Sequence, residues 1–411
     1  MKRRICLVVP TNRECSATLA EVMAEAEYAE RHHDVDVRLL VLDSSDDFTT
    51  HAKTLADAGD VVHLDEERQR GFLRQVVDRA GVAEPGLLLD LLLPRRPSYG
   101  ACTDRAFLIA AALGCESVHR RDSDLYFQTY AGEKVFPIHV ELAALGRPAR
   151  DVVATEVRLD DSRRDLTVAM VGASFVGDMS VDVEDVRGAD GYYDLVSLWA
   201  APGSTEAEKR ALVEESFTGS APFTGDHTVL SVVDPMRVDM HNISFHGLHE
   251  KVPLPPATDT IGSDYFLIHV ADRAGLPGVQ HNRHIVNFHT AERKTDAGFL
   301  AYQMRFAKFI LSMYYFHFIY ERMTTDDPAA IGAIVRASTW QPKEPNELQA
   351  HRMERAYRRL GGRFTGVADR IAEHRDLLLF EARRDIEDFA TLIDAWAGLV
   401  AAAREIPLPH A

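Results

Sequence analysis

The 411-residue sequence carries 46 Lys and Arg against 63 Asp and Glu, a formal net charge of −17, which excludes general affinity for nucleic acid or an anionic membrane surface. With 46% hydrophobic and 27% charged residues, the chain can fill a large core, so disordered and collagen-like classes are excluded too. The length fits two or three units, or one large α/β domain with an appendage. Small molecules, cations or proteins remain as partners.

Cys6, Cys15, Cys102 and Cys115 show no CxxC or CxH clustering and read as reduced thiols. The basic start Met1-Lys2-Arg3-Arg4 is followed by an apolar run, 5–9, that Pro10 ends too early for a signal peptide. The apolar stretch 309–320 is broken by Ser312 and His317 and falls short of the ~18–20 residues needed to span a bilayer. The expected location is cytoplasmic, with no nucleic acid and no membrane insertion.

In chain order, 5–9 reads as a buried strand ending at Pro10-Thr11-Asn12. Leu19, Val22, Met23 and Ala26 follow at helical spacing. A second strand, 35–42, is stopped by Asp43-Ser44-Ser45-Asp46-Asp47, and 61–64 is a third. Short strands alternating with helical periods predict a parallel α/β sheet, whose ligands bind at the carboxyl ends of the strands. Residues 103–113 form a helix closed by Gly114, which delivers the chain to Asp122-Ser123-Asp124. Between about 135 and 245 the pattern turns β-rich, as in 152–159 and 166–171. Beyond about 295 it becomes helical, with 299–323 and 385–403 as the clearest helices.

Two carboxylates one residue apart at a strand end can hold a divalent cation and so neutralise a diphosphate leaving group. An arginine at the start of the preceding helix, Arg105, can reach the same anion. In this setting the sequence resembles the GT-A fold glycosyltransferases that use nucleotide-sugar donors, especially the family 2 group. Val8-Val9-Pro10-Thr11-Asn12-Arg13-Glu14 is similar to their first strand and donor loop, and Leu40-Val41-Leu42-Asp43 to their second strand. Gly100, Arg105, Ala112, Gly114 and Asp122 to Asp124 follow the family's spacing. Pro253-Leu254-Pro255-Pro256 precedes Ile261-Gly262-Ser263-Asp264 much as a proline-containing stretch precedes the family's acceptor-side acid.

The resemblance covers about residues 4 to 294. It implies a Rossmann-like mixed sheet flanked by helices (GT-A), with the catalytic domain over 1–295 (donor half about 1–130, acceptor half about 131–295) and a helical C-terminal extension over 296–411. It further implies that Pro10, Thr11, Asn12, Arg13, Asp43, Arg105 and Asp122 contact the donor. Asp122 and Asp124 would hold Mn2+ or Mg2+, with His289 as third ligand and His284 in reserve. Asp264 would be the catalytic base. The implied reaction moves a sugar from a nucleotide diphosphate donor to a small-molecule acceptor, in natural-product or secondary-metabolite biosynthesis. A nucleotidyltransferase of similar fold and a non-catalytic nucleotide-sugar or carbohydrate binding protein are the alternatives. The C-terminal helices offer a surface for a homo-oligomer.

The run Val118-His119-Arg120-Arg121 departs from the family, whose strand there is apolar. Together with Arg95, Arg96 and Arg105, its arginines are expected to concentrate positive charge at the donor end. The stripe Phe306, Phe309, Met313, Phe316, Tyr320 has helical spacing and reads as core packing. His241, His246 and His249 read as scattered loop histidines, some facing the acceptor. Asp178, Asp182 and Asp185 read as a solvated acidic loop, and 172–177 as a Gly-flanked loop beside the acceptor pocket.

Overall fold

The computed structural model describes residues 2–178, 186–289, 291 and 294–408; Asp182 and Asp185 lie outside them. The N-terminal half runs β1 (Arg3–Thr11), α1 (Ser16–His32), β2 (Val35–Asp43), α2 (Phe48–Thr54), β3 (Val61–Leu64), α3 (Glu66–Ala80), α4 (Pro85–Leu92), α5 (Tyr99–Ala112), β4 (Ser117–Arg121) and β5 (Leu125–Phe127). Then come β6 (Thr129–Tyr130), β7 (Glu133–Lys134), α6 (Ile138–Ala144), β8 (Glu156–Val157), β9 (Met170–Gly172), β10 (Phe175–Gly177), α7 (Tyr192–Val196), α8 (Glu206–Glu215), β11 (Thr228–Ser231) and β12 (Asn242–His246). The chain continues through α9 (Leu248–Lys251), α10 (Phe266–Arg273), β13 (Gly278–His281) and β14 (Ile285–Asn287). It ends in four helices, α11 (Asp296–Arg322), α12 (Pro328–Ser338), α13 (Glu344–Leu360) and α14 (Phe364–Ala403).

The main sheet has the order β3-β2-β1-β4-β12-β9-β13-β11-β8. β1, β2, β3 and β4 run parallel, whereas β12 is antiparallel to both β4 and β9. This is the mixed, Rossmann-like sheet flanked by helices that the GT-A resemblance implies. Because β1 is flanked by β2 on one side and β4 on the other, the strand order reverses there and leaves a crevice at the carboxyl ends of β1 and β4. A second, three-stranded sheet, β10-β14-β5, stands beside it.

The alternation of a half-buried helix with a doubly buried strand explains the N-terminal elements. β1 is buried from Ile5 to Val9, and α1 turns Leu19, Val22 and Ala29 inward. α3 begins at Asp65, whose side chain accepts the Arg68 amide at 2.8 Å, and it stops at Gly81 in the left-handed region. The stretches 152–159 and 166–171 shorten to β8 and β9. Turns at Ala149–Asp151 and Asp161–Arg163, rich in Asp and Arg side chains that bond locally, break the extended runs.

The helices after residue 295 close one face of the sheet. Buried apolar side chains from Cys6 on β1 to Ile406 beyond α14 form one continuous cluster. Trp396 is fully buried and its indole N–H donates to the His249 carbonyl at 3.1 Å. Phe389 meets Phe266 edge-on at 4.8 Å. No helix among the described residues is long and apolar enough to cross a membrane.

Candidate functional site

A cavity of about 1470 Å³ opens at the β1/β4 crevice and runs along α11. Pro10, Thr11, Asn12 and Arg13 line it from the end of β1, and Asp122, Ser123 and Asp124 from the end of β4. The Thr11 hydroxyl donates to the Arg13 carbonyl at 2.8 Å and accepts the Arg13 amide at 3.2 Å, which folds the first loop back on itself. The second loop is held from below. Thr18 on α1 points its hydroxyl at the Ser123 and Leu125 carbonyls, each at 3.1 Å.

The polarity of β4 has a physical account in its alternation. Every residue of Ser117–Arg121 is buried, and successive side chains point to opposite faces. His119 and Arg121 point away from the cavity, toward α1 and α6. There Arg121 grips Glu25 through Nε and Nη2 at 2.9 and 2.8 Å and reaches Glu141 at 3.1 Å, while His119 Nδ1 lies 2.7 Å from Glu141. Arg121 therefore adds no positive charge to the donor end, contrary to expectation. Arg120 faces the opposite way. Its Nη1 donates to Asp264 Oδ2 and to the Met240 carbonyl, both at 2.9 Å, and its Nη2 sits 2.9 Å from Asp122 Oδ1.

One buried guanidinium thus joins the acid at the end of β4 to the acid that precedes α10, 142 positions later in the chain. Burial pushes the pKa of Asp122 up, but Arg120 and His241 outweigh it and leave the carboxyl well below its usual range. Burial also pushes Asp264 up, and here Arg120 only partly offsets it against Asp122 and Asp239, so its pKa stays raised. His241 Nε2 is 3.0 Å from Asp122 Oδ2, and its Nδ1 is 3.0 Å from Asp239 Oδ1. Burial opposes a charge on this imidazole; Asp239 and Asp122 outweigh it and hold its pKa well above the ordinary value. Tyr265 donates its hydroxyl to Asp239.

Gly100 and Gly262 place the segment that carries Asp264. A Cβ at Gly100 would lie 1.9 Å from the Pro255 carbonyl oxygen, so only glycine lets the start of α5 meet the 253–256 stretch. The neighbouring Asp104 carboxylate accepts the Leu254 amide at 2.8 Å. Gly262 has φ +72°, and a Cβ there would lie 2.6 Å from Phe309 Cε2.

Of the residues singled out in the sequence, Pro10, Thr11, Asn12, Arg13, Arg105, Asp122, Asp124, Asp264 and His284 line this one cavity. Arg105 is partly committed to the protein, donating from Nε to Gln69 at 2.8 Å and from Nη1 to the Leu92 carbonyl at 2.7 Å. Arg13 pairs with Asp124 at 3.1 Å. His284 accepts the Ser174 amide on Nδ1 at 3.1 Å, and burial pushes its pKa down to about 4. Asp43 and His289 are not among the lining residues. The Asp43 carboxylate is spent inside the protein on Ser45, His51 and His63, so it has no free edge for a nucleotide base. The His289 amide donates to Asp178 at 2.7 Å, and Phe288 bonds the Asp124 carbonyl at 3.3 Å. The chain passes the Asp124 backbone there without bringing the His289 ring into the cavity.

Asp122 has the properties of a cation ligand: its carboxyl is ionised, and Oδ1 is buried without a properly directed hydrogen bond despite its closeness to Arg120. Asp124 lies on the same loop, and the two are the residues here that could hold a divalent cation, although Asp122 Oδ2 faces His241 and Asp124 Oδ2 faces Arg13. Among the described residues, the three metal-type side chains that converge are instead Asp43, His51 and His63. Their hydrogen bonds argue against an ion. His51 Nε2 accepts the Cys15 amide at 3.0 Å, so its proton sits on Nδ1 and is donated to Asp43 Oδ2 at 2.7 Å.

The sequence reading missed Arg120 as a bridge between the two acids, and with it Asp239 and Tyr265; His241, read there as one of several loop histidines, lines the cavity and bonds both Asp122 and Asp239. The signal available was the buried-strand context of two consecutive arginines, which demands carboxylate partners on both faces.

Among solved structures, the chain is similar to a mannosyltransferase from Pyrobaculum calidifontis in complex with GDP-Man and Mn2+. That match has 16% identity, covers 98% of this chain and 86% of that one, and has a TM-score of 0.39. It is also similar to glucosyl-3-phosphoglycerate synthase from Mycobacterium tuberculosis in complex with phosphoglyceric acid, at 17% identity, 76% and 80% coverage and a TM-score of 0.40. A third likeness is to a mycobacterial protein, at 19% identity, 76% and 74% coverage and a TM-score of 0.39. Likeness of this degree assigns neither residues nor substrate. No curated protein matches the chain. A family model described as a family of unknown function (DUF6271) matches residues 3–411, and the protein belongs to that family.

Proposed function

We propose that the protein is a metal-dependent glycosyltransferase of GT-A type, which moves a sugar from a nucleotide diphosphate donor to a hydroxyl of a small molecule. The observation that carries this reading is the Arg120 bridge, which fixes Asp122 and Asp264 on one cavity wall at the switch point of the sheet. The donor diphosphate lies against the loops after β1 and β4, where the partly exposed Arg13 is within reach of it. Asp122 and Asp124 would hold a divalent cation, which supplies electrostatic stabilisation of the departing diphosphate. Asp264 takes the proton of the attacking hydroxyl, and its raised pKa makes it a stronger base than an ordinary carboxylate. Arg120 keeps it oriented. The donor half is assigned to about 1–130 and the acceptor half to 131–295, with α11 completing the acceptor wall. A cavity of about 1470 Å³ has room for a small metabolite beside the donor, in keeping with tailoring of a natural product.

The test is thermal stabilisation by UDP, GDP and dTDP with and without Mn2+. We expect one diphosphate to raise the melting temperature in a metal-dependent way, and Asp124→Ala to remove the metal-linked part. The reading fails if no diphosphate stabilises the protein under either condition, or if the stabilisation is independent of the metal.

A further inference from the structure

The stripe on α11 does more than fill the core. Phe306 and Phe309 are buried, yet both line the cavity, as do Trp199 and Phe217, which come from outside α11 and pack against them. The four rings form a closed circuit. Trp199 meets Phe309 edge-on at 5.6 Å and lies tilted against Phe217 at 6.3 Å, Phe217 meets Phe306 edge-on at 6.2 Å, and Phe306 lies nearly parallel to Phe309 at 6.1 Å. Phe309 abuts Gly262, two residues before Asp264.

The two rings that do not come from α11 are held in place by specific bonds. His317 donates to the Trp199 carbonyl at 2.9 Å. Phe217 has φ +58°, a left-handed conformation that is unfavourable for a bulky residue. Arg187 stabilises it by donating to the Ser216 and Phe217 carbonyls at 2.8 and 2.6 Å. A residue kept in a strained backbone so that its ring faces a cavity is arranged for what enters that cavity.

We infer that this aromatic box binds the body of the acceptor, and that the acceptor is a planar aromatic, single or fused ring, whose hydroxyl is directed at Asp264. Offset and edge-on contacts with four rings favour a flat π-system over a polar, flexible polyol. Only the word acceptor rests on the transfer reading above; the binding itself does not.

The experiment is a binding titration without donor, following the fluorescence of Trp199. 2-Naphthol serves as the aromatic probe and glycerate as the polar hydroxyl probe. We expect saturable quenching by 2-naphthol that disappears in Trp199→Phe, and no saturable response to glycerate. Phe217→Ala and Phe306→Ala should each weaken 2-naphthol binding roughly tenfold or more, while Phe217→Leu, which keeps a large apolar side chain, loses less and controls for folding. UDP or GDP should leave the affinity for 2-naphthol unchanged. Saturable binding of glycerate in place of 2-naphthol, an unaltered affinity in Phe217→Ala, or competition by the diphosphate would each overturn the inference. A diphosphate-binding failure alongside intact 2-naphthol binding would sink the transfer reading and leave the box standing.

Discussion

Arg120 and Arg121 are neighbours on one strand, both fully buried, yet they sit in opposite kinds of surroundings. Arg121, with Glu25, Glu141 and His119, forms a network whose side chains are all sealed from solvent. Its carboxylates are taken up by Arg121, His119 and the Ile138 amide. Arg120 also holds two carboxylates, but Asp122 and Asp264 line a cavity and keep side-chain exposures of 15% and 7%. In both networks the acids are pushed in opposite directions: burial keeps Glu25 raised, while Arg121 and His119 outweigh burial at Glu141 and leave it lowered; only in the open network do such acids face a place where a ligand fits. Pairs of titratable groups driven apart by their environments mark acid and base roles, and only the cavity-facing side of β4 offers that to a substrate.

The largest expected effect comes from breaking the sealed side. Arg121→Met leaves Glu25 and Glu141 buried without their cation and should cost about 3–5 kcal/mol of stability, read by denaturant unfolding. On the open side the same change has the opposite profile. Arg120→Met should lower turnover by roughly 10²–10³ in a donor hydrolysis assay, with a smaller loss of stability because the freed carboxylates can be solvated from the cavity. If both variants lose stability equally and neither loses activity selectively, the contrast between the two faces is wrong.

Next in size is Gly100→Ala. The new methyl meets the Pro255 carbonyl, and forcing α5 and the 253–256 stretch apart should destabilise by about 1–3 kcal/mol while also reducing activity through misplacement of Asp264. The smallest effect is a pH dependence. The folded-state pKa of Asp264 is raised, so its contribution to stability is fully present below the ordinary carboxylate range and is lost as pH rises through the raised value. Wild type should therefore lose stability relative to Asp264→Asn as pH climbs through that window, measured as the difference in melting temperature between the two proteins. A constant difference would show that Asp264 titrates normally.

Much of this was legible in the sequence, for physical reasons. Strands buried on both faces announce themselves as apolar runs, and 5–9, 35–42 and 61–64 lie within or on β1, β2 and β3. The loops after β1 and β4 are polar because they close a binding edge, so Pro10 to Arg13 and Asp122 to Asp124 stood out. What was hidden depends on partners far away in the chain. That Asp43 is consumed by His51 and His63 could not be read from its place after β2, because helix α2 and strand β3 bring those rings back to it. Likewise, β4 looked too polar for an interior strand; Glu25, Glu141, Asp264 and Asp122 make it buried, and only the folded arrangement pairs them. The α11 stripe has helical spacing whether it meets a core or a cavity, and period alone does not distinguish the two.

The central claim is that the Arg120-linked acids serve a nucleotide-sugar. The most direct measurement is release of nucleoside diphosphate from UDP-, GDP- and dTDP-sugars in the presence of Mn2+, by wild type and by Asp124→Ala, since slow donor hydrolysis needs no acceptor. We predict that wild type hydrolyses one donor class and that Asp124→Ala loses that activity while remaining folded. Absence of hydrolysis with every donor, or an equal rate in Asp124→Ala, would contradict the account.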